Sequence, residues 1–206
     1  MNYRDELCLL VKEVLSEPHA FGAEVGVFKG KTSKMLLAKH SELRLMMVDA
    51  YSSEAYSFGN DPMTSQSAAD WTHAQKLATR NTAPFAARRN MYQVQSMDAA
   101  LMVEDNSLDF VFIDADHSYD GVRADSEVWW DKVRPGGMII WHDYASEADH
   151  TKGVKEAVDE FCVGGGLHVS SHSSLAWMFK AKESSDGEES PVHVDDDEVA
   201  EGDAGV

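Results

Sequence analysis

Two apolar segments that end in acidic and imidazole side chains constrain the fold of this chain more than any other feature. The first, Phe110–Ile113, leads into Asp-Ala-Asp-His at 114–117, and the second, Met138–Trp141, leads into His142 and Asp143. An amphipathic stretch and the sequence Pro-Gly-Gly lie between them. This order predicts two neighbouring parallel strands joined by a crossover helix. The carboxyl ends of such strands meet at one edge of a sheet, where α/β proteins bind their ligands.

The spacing of apolar residues predicts alternating helices and strands along the rest of the chain. The predicted helices cover residues 3–15, 35–40, 68–79, 96–103, 119–133 and 153–161. The predicted strands cover residues 23–28, 43–48, 91–94, 108–113, 138–141, 167–170 and 174–180, the last two as an antiparallel hairpin. We therefore expect an α/β fold with a Rossmann-like, doubly wound sheet of seven strands. The sheet should be mostly parallel, with one antiparallel strand near the C-terminus.

Charge divides the chain into two parts. The net charge is −18, and ten of the 36 acidic residues lie in residues 183–206, which contain no Lys or Arg. We expect residues 1–182 to form one domain and the acidic tail to be disordered. The remaining body has no basic stripe, so we expect a small-molecule acceptor and no nucleic-acid partner.

No apolar run approaches the roughly 20 residues of a membrane span, so no membrane partner is expected. The polar N-terminus and two cysteines far apart in sequence favour a cytoplasmic protein. A homo-oligomer stays open.

A glycine-containing turn follows the first predicted strand, over Glu24-Val-Gly26-Val-Phe-Lys-Gly30. Glycine allows close backbone approach, and the helix that follows offers free N–H groups to an anion. The turn lacks the GxGxxG spacing of a dinucleotide fingerprint. Asp49 closes the second strand, where an acid can accept both hydroxyls of a ribose. The alternative for Asp49 is a helix cap or a solvated turn residue.

Residues 51–67 form a polar connection that is long for a compact domain. Such connections are often lids or binding loops, so this one is either a lid over a ligand or an insertion without a role at the site.

Together these motifs resemble a class I S-adenosylmethionine-dependent methyltransferase. The segments FIDADHSYDGVRAD and RPGGMIIWHDY resemble the subgroup of macrocin-type O-methyltransferases in particular, and catechol O-methyltransferase more distantly. The resemblance covers about residues 20–180. It implies transfer of a methyl group from S-adenosylmethionine to a hydroxyl of a small molecule, such as a sugar or a phenol. N- and C-methylation stay open.

The resemblance also implies roles for individual residues. Those expected to bind the cofactor are Glu24, Gly26, Gly30, Asp49, Ser96, Met97 and Asp114. Glu24 would hold the methionine amino group and Asp49 the ribose hydroxyls, while Ser96 and Met97 would border the adenine. The chain departs from the family pattern at Phe28, where many members have glycine. It also has His-Asp at 142–143, where metal-dependent relatives have Asp-Asp or Asp-Asn.

Asp114, His142 and Asp143 form a candidate site for a divalent metal. Oxygen ligands favour Mg²⁺, whereas an imidazole shifts the preference towards Mn²⁺, Fe²⁺ or Zn²⁺. Such an ion would orient an acceptor hydroxyl and lower its pKa. The alternative is that His142 and Asp143 only form hydrogen bonds with each other and with the loop at Asp114.

The candidate catalytic residues are His117 and Asp114. The ordinary pKa of histidine, near 6.5, suits removal of a proton from a hydroxyl at neutral pH. The alternative for His117 is a histidine that anchors the turn before the next helix.

Two other functional classes remain open at this stage. One is a nicotinamide-dependent oxidoreductase, against which the absent GxGxxG and the terminal hairpin both count. The other is a non-catalytic nucleoside-binding module.

Overall fold

The computed structural model describes residues 2–16, 18–56 and 61–182 of the chain. The α-helices in this part are α1 (Tyr3–Val14), α2 (Lys31–Lys39), α3 (Ala68–Thr82), α4 (Ser96–Ala100), α5 (Tyr119–Lys132) and α6 (Lys152–Phe161). The strands are β1 (Phe21–Val25), β2 (Arg44–Val48), β3 (Arg89–Tyr92), β4 (Leu108–Ile113), β5 (Val133–Trp141), β6 (Leu167–Val169) and β7 (Ala176–Phe179). The predicted disordered tail, 183–206, and part of the predicted lid, 57–60, lie outside the described residues.

The strands form one sheet in the order β3-β2-β1-β4-β5-β7-β6. Strands β1 to β5 pair in parallel, and β7 runs antiparallel to both of its neighbours. The predicted seven-stranded Rossmann-like sheet is therefore confirmed, including its one antiparallel strand. Because the chain moves outward from β1 to β3 and then returns beside β1 as β4, the strand order reverses between β1 and β4. Ligands of doubly wound folds bind at the carboxyl ends of such a pair.

Helices cover both faces of the sheet and create two apolar layers. Helices α1, α2 and α3 pack on one face around residues such as Leu36, Trp71 and Phe112. Helices α4, α5 and α6 pack on the other face, where Trp129 and Trp141 are fully buried. Burial on both faces explains why the central strands are continuous apolar runs rather than alternating ones.

Two predicted boundaries differ from the structure for physical reasons. Strand β1 ends at Val25 and not at residue 28, because Gly26 and Phe28 both adopt positive φ angles, 93° and 47°. Strand β5 begins at Val133 and not at residue 138. The Pro-Gly-Gly sequence, predicted as a turn, forms an irregularity within this strand, where the pairing with β4 shifts in register.

A buried acid, Asp109, holds segments together at the edge of the sheet opposite to the carboxyl ends of the parallel strands. The carboxylate of Asp109, 1% exposed, accepts hydrogen bonds from Arg134 Nε at 2.7 Å and from the backbone N–H of Phe21 at 2.8 Å. This pairing offsets the cost of burying the charge.

In the described part of the chain, no helix combines the length and the apolar character needed to cross a membrane.

Candidate functional site

Two adjoining cavities open at the carboxyl ends of β1, β2 and β4. The first extends from Gly26 and Asp49 to Ser96 and Met97, and the second from Glu24 to Asp114 and His117. Both are lined by Gly26, Tyr56 and Ala115, so they are continuous at the turn after β1. The site therefore lies at the reversal of strand order, as expected for a doubly wound sheet.

The turn after β1 depends on a glycine at its first position. A Cβ on Gly26 would lie 2.0 Å from the backbone oxygen of Asp114, so no side chain fits there. Gly30 has a different role from the one expected. It lines neither cavity, but begins α2 with a φ of 66° and lies against Ala78 of α3. The structure therefore gives Gly30 a role in helix packing, and its contact with a cofactor stays a prediction.

Asp49 organises the strand-exit turns on either side of it. Its Oδ2 accepts hydrogen bonds from the backbone N–H groups of Val27 (3.0 Å) and Phe28 (2.7 Å). Its Oδ1 accepts one from Tyr51 N–H at 2.7 Å. Phe28 and Tyr51 both have left-handed backbone angles, with φ of 47° and 50°, which are costly for residues other than glycine. Asp49, which lines the first cavity, therefore holds in place two strained residues, of which Phe28 lines the second cavity.

The far end of the first cavity contains a buried polar chain. Trp129 Nε1 donates to Ser96 Oγ at 2.8 Å, and Ser96 shares a hydrogen bond with the carboxyl group of Asp125. Burial raises the pKa of Asp125 to about 7. Ser96 and Met97 thus border this cavity, and their contact with an adenine stays a prediction. Asp125 was not identified from the sequence.

Glu24, near the carboxyl end of β1, lines the second cavity. It is 1% exposed and accepts a hydrogen bond from Ser33 Oγ at the first turn of α2. Burial raises the pKa of Glu24 to about 8. No cation within ion-pair distance compensates this carboxyl group in the described residues, so its ionised form would be stabilised by a positively charged ligand.

Asp114, His142 and Asp143, predicted as a set, do come together beyond the ends of β4 and β5. His142 Nδ1 lies 3.2 Å from Asp114 Oδ1 and 3.0 Å from Asp143 Oδ2. Asp143 has a left-handed φ of 57°, the third strained residue at this edge. The ring of Tyr3, from the start of α1, packs on His142 with 4.1 Å between ring centroids.

His117 joins the same cluster, where the sequence predicted a general base and not a metal ligand. Its Nε2 lies 3.4 Å from Asp143 Oδ2 and 3.8 Å from Asp114 Oδ1. Its Nδ1 lies 2.7 Å from the carboxylate of Asp61. Asp61 belongs to the long predicted loop, and no local sequence signal distinguishes it from other turn residues there.

The charges in this cluster decide whether His117 can act as the expected catalytic base. Burial opposes a charge on His117, but the nearby carboxylates of Asp114, Asp143 and Asp61 outweigh it and raise its pKa to about 11. For His142, burial is likewise outweighed by the two carboxylates, and its pKa rises to about 9. Burial is also outweighed at Asp143, where the imidazoles hold the pKa well below its usual range. A protonated His117 cannot accept a proton, so it cannot act as the expected general base in this state.

The cluster has the donor set of a divalent metal site. Ligand atoms of Asp114, His117 and Asp143 lie within 4.8 Å of one another. His117 Nε2 and His142 Nδ1 are buried and have no hydrogen-bond partner among the described residues. Buried polar atoms without partners are rare, and two carboxylates with an imidazole suit a first-row divalent ion. The residues therefore fit a metal, with His117 as a candidate ligand in addition to the predicted His142.

The remaining predicted contact at the site concerns the polar connection after β2. Its described parts contain short 3₁₀ turns at Ser53–Ala55 and Pro62–Ser65, and residues from both line the cavities. Behind them, Trp71 is 2% exposed and stacks on Tyr56 at 5.7 Å, so it supports this segment from the core.

The doubly wound sheet, the reversal of strand order and the two joined cavities define a nucleotide-binding type of α/β protein. A family model described as a methyltransferase domain matches residues 23–144, more than half of the chain. The chain therefore belongs to this methyltransferase family, and its fold is that of a class I methyltransferase. No curated protein sequence matches it significantly.

Solved structures with the same fold span several acceptor types. The O-methyltransferase NovP has a TM-score of 0.63 and 16% identity over 87% of this chain and 80% of its own. TomG from Streptomyces achromogenes, an O-methyltransferase of tomaymycin synthesis solved with S-adenosylmethionine, has 0.60 and 14% over 87% and 80%. An rRNA methylase from Streptococcus thermophilus has 0.58 and 12% over 86% and 95%. At these identities the similarity concerns the fold alone.

Proposed function

We propose that this methyltransferase moves a methyl group from S-adenosylmethionine to a hydroxyl of a small molecule, with help from a divalent metal ion. The observation that carries the proposal is the cluster of Asp114, His117 and Asp143 at the mouth of the second cavity. That cavity continues into the first at Gly26. TomG, which has the same fold, was solved with S-adenosylmethionine, and this supports the choice of cofactor.

The two cavities match the two halves of this cofactor. The adenosine part would occupy the first cavity, bordered by Ser96 and Met97. Asp49 Oδ1 accepts only one hydrogen bond, so it keeps capacity for a ribose hydroxyl. The methionine part would cross Gly26 into the second cavity, where Glu24 would pair with its amino group. The sulfonium would then lie on the Asp114 side.

The reaction is a displacement at the methyl carbon. The acceptor oxygen forms a bond to this carbon, the carbon–sulfur bond breaks, and its electron pair stays on sulfur to give S-adenosylhomocysteine. The hydroxyl proton leaves to water. Asp114 accepts a hydrogen bond from the hydroxyl and aims its oxygen at the methyl group, and such alignment can supply much of the rate.

Asp114, His117 and Asp143 would hold the metal ion, and His142 lies within reach of the same carboxylates. When bound, the ion would polarise the acceptor hydroxyl and lower its pKa.

Charge favours a small acceptor over RNA. The chain carries a net charge of −18, and a nucleic-acid site needs a basic surface to bind phosphates. The rRNA methylase with this fold therefore does not by itself argue for an RNA acceptor. The macrocin-type resemblance favours a sugar hydroxyl, and phenols and N- or C-acceptors remain to be compared in the assay.

The decisive experiment combines calorimetry with a turnover assay. We expect S-adenosylhomocysteine to bind the wild-type protein, and S-adenosylhomocysteine to be released from S-adenosylmethionine when sugars or catechols and Mg²⁺ or Mn²⁺ are supplied. Asp114→Asn should keep cofactor binding and lose turnover, whereas Asp120→Asn, an exposed neutralisation on α5, should match the wild type. Absence of any binding heat with the wild-type protein would refute the proposed cofactor. Full turnover in chelator would refute the metal.

A further inference from the structure

Asp61 makes a contact that links the segment before α3 to the metal cluster. Its Oδ2 lies 2.7 Å from His117 Nδ1, and the two residues are 56 positions apart in sequence. Asp61 is only 2% exposed, and its other oxygen accepts a hydrogen bond from Met63 N–H at 2.8 Å. Both oxygens are therefore committed, and the carboxylate is fixed in one orientation.

This contact determines which nitrogen of His117 is free. An ionised carboxylate can only accept hydrogen bonds, so the hydrogen between Asp61 and His117 belongs to Nδ1. The opposite nitrogen, Nε2, then faces Asp143 and Asp114 at 3.4 and 3.8 Å. This nitrogen is buried and has no hydrogen-bond partner within the described residues. Histidine ligands of metals usually donate their second N–H to a carboxylate or carbonyl, which fixes the ring and its tautomer.

The second histidine of the cluster lacks such an arrangement. His142 Nδ1 also faces the two carboxylates, but its Nε2 has only a 3.5 Å contact with Ser174 Oγ. Its ring packs against that of Tyr3 at a tilt of 53°. Among the described residues, only His117 has a carboxylate at the ring nitrogen that faces away from Asp114 and Asp143.

We propose that Asp61 is a positioning residue that holds His117 with Nδ1 protonated, so that Nε2 is presented as a ligand to a divalent cation together with Asp114 and Asp143. This inference rests on the proposed metal-assisted methyl transfer and adds a residue from a different segment to it. Pro62 and Met63, which follow Asp61, line the second cavity. Binding of a cation should therefore affect the position of Pro62 and Met63, which form the part of the cavity wall beside the acceptor.

The test measures Mn²⁺ binding by calorimetry, separately from turnover. We expect Asp61→Ala to bind Mn²⁺ roughly ten- to a hundredfold more weakly than the wild type, the usual effect of losing such a partner. Its affinity for S-adenosylhomocysteine should stay within about twofold, since Asp61 lies outside the proposed cofactor contacts. Ser65→Ala, an exposed change in the same 3₁₀ turn, should bind Mn²⁺ like the wild type.

A second measurement does not depend on how well the variant folds. Nitrogen NMR of the wild-type protein labelled in histidine and loaded with Zn²⁺ should show His117 protonated at Nδ1 and metal-bound at Nε2. Equal Mn²⁺ affinity for Asp61→Ala and the wild type would overturn the role of Asp61, as would a proton on Nε2 of the loaded protein. Wild-type protein that binds S-adenosylhomocysteine but no Mn²⁺ would instead remove the metal itself, and this inference with it.

Discussion

The buried carboxyl group of Glu24 predicts that cofactor binding releases a proton. Burial raises its pKa to about 8, so about nine-tenths of the molecules carry a proton on Glu24 at pH 7. The amino group of S-adenosylmethionine is positively charged, and a cation at contact distance lowers a carboxyl pKa by roughly 1–3 units. Binding at pH 7 should therefore release roughly 0.4–0.9 proton per site, with the larger value for the larger shift.

The sign and the size of the pH dependence follow from the same shift. The free protein holds a proton that the complex loses, so affinity should rise with pH up to about 8 and level off above it. Between pH 6 and 8 the affinity should gain roughly five- to fiftyfold in total, about 1–2 kcal/mol, depending on the size of the shift. Above pH 9 proton release should fall to about a tenth of a proton, because Glu24 is already ionised in the free protein.

Calorimetry of S-adenosylhomocysteine binding in buffers with different heats of ionisation measures this directly. The slope of the observed heat against the buffer ionisation heat gives the number of protons released. Glu24→Gln should reduce the slope at pH 7 to near zero and flatten the pH dependence of affinity. Glu13→Gln, the same change at an exposed position of α1, should keep both. A slope that is the same in Glu24→Gln and in the wild type would show that another group releases the proton and refute the reasoning.

Three further predictions concern stability. Burial raises the pKa of Asp125 in the folded state to about 7. Its contribution to the free energy of unfolding is therefore fully present below pH 4 and is lost as pH rises through 7. Asp125→Asn should therefore gain roughly 2 kcal/mol on the wild type between pH 5 and 8 in urea unfolding, and a constant difference would contradict this. Gly26→Ala should destabilise by at least ~2 kcal/mol and weaken S-adenosylhomocysteine binding, because its Cβ meets a backbone oxygen at 2.0 Å; a wild-type melting temperature would refute the close approach. Asp109→Ala should cost about 3 kcal/mol in unfolding, because it leaves Arg134 half-buried and unpaired, while binding by the folded protein should not change.

Strand ends were the most predictable part of this protein. The apolar run before Asp114 and the run before Asp143 place both acids at one edge, because parallel strands expose their carboxyl ends together. The sheet and its hairpin followed from the same periodicity. The bulge at 135–137 did not, because Pro and Gly predict a turn locally, whereas backbone hydrogen bonds of Gly136 and Gly137 with Lys180 keep the segment in the strand.

The parts of the site that escaped prediction depend on contacts distant in sequence. Asp61 meets His117 across 56 positions, and a turn acid gives no local sign of such a partner. The choice between His117 and His142 as the metal ligand likewise depends on which ring a carboxylate orients. The packing role of Gly30 was also not predicted, since the closeness of its left-handed backbone to Ala78 of α3 is a contact distant in sequence.

The three hydrogen bonds of Asp49 have a consequence for how mutants of this residue are interpreted. Because two of them hold Phe28 and Tyr51 in left-handed conformations, an alanine at position 49 would release both turns as well as any ribose contact. Lost binding in that variant would thus have two causes: the missing contact with the ribose, and a cleft that no longer has its shape. Because of the same bonds, the cleft is ordered when the chain folds. Binding of a cofactor therefore carries no further entropy cost for ordering these turns.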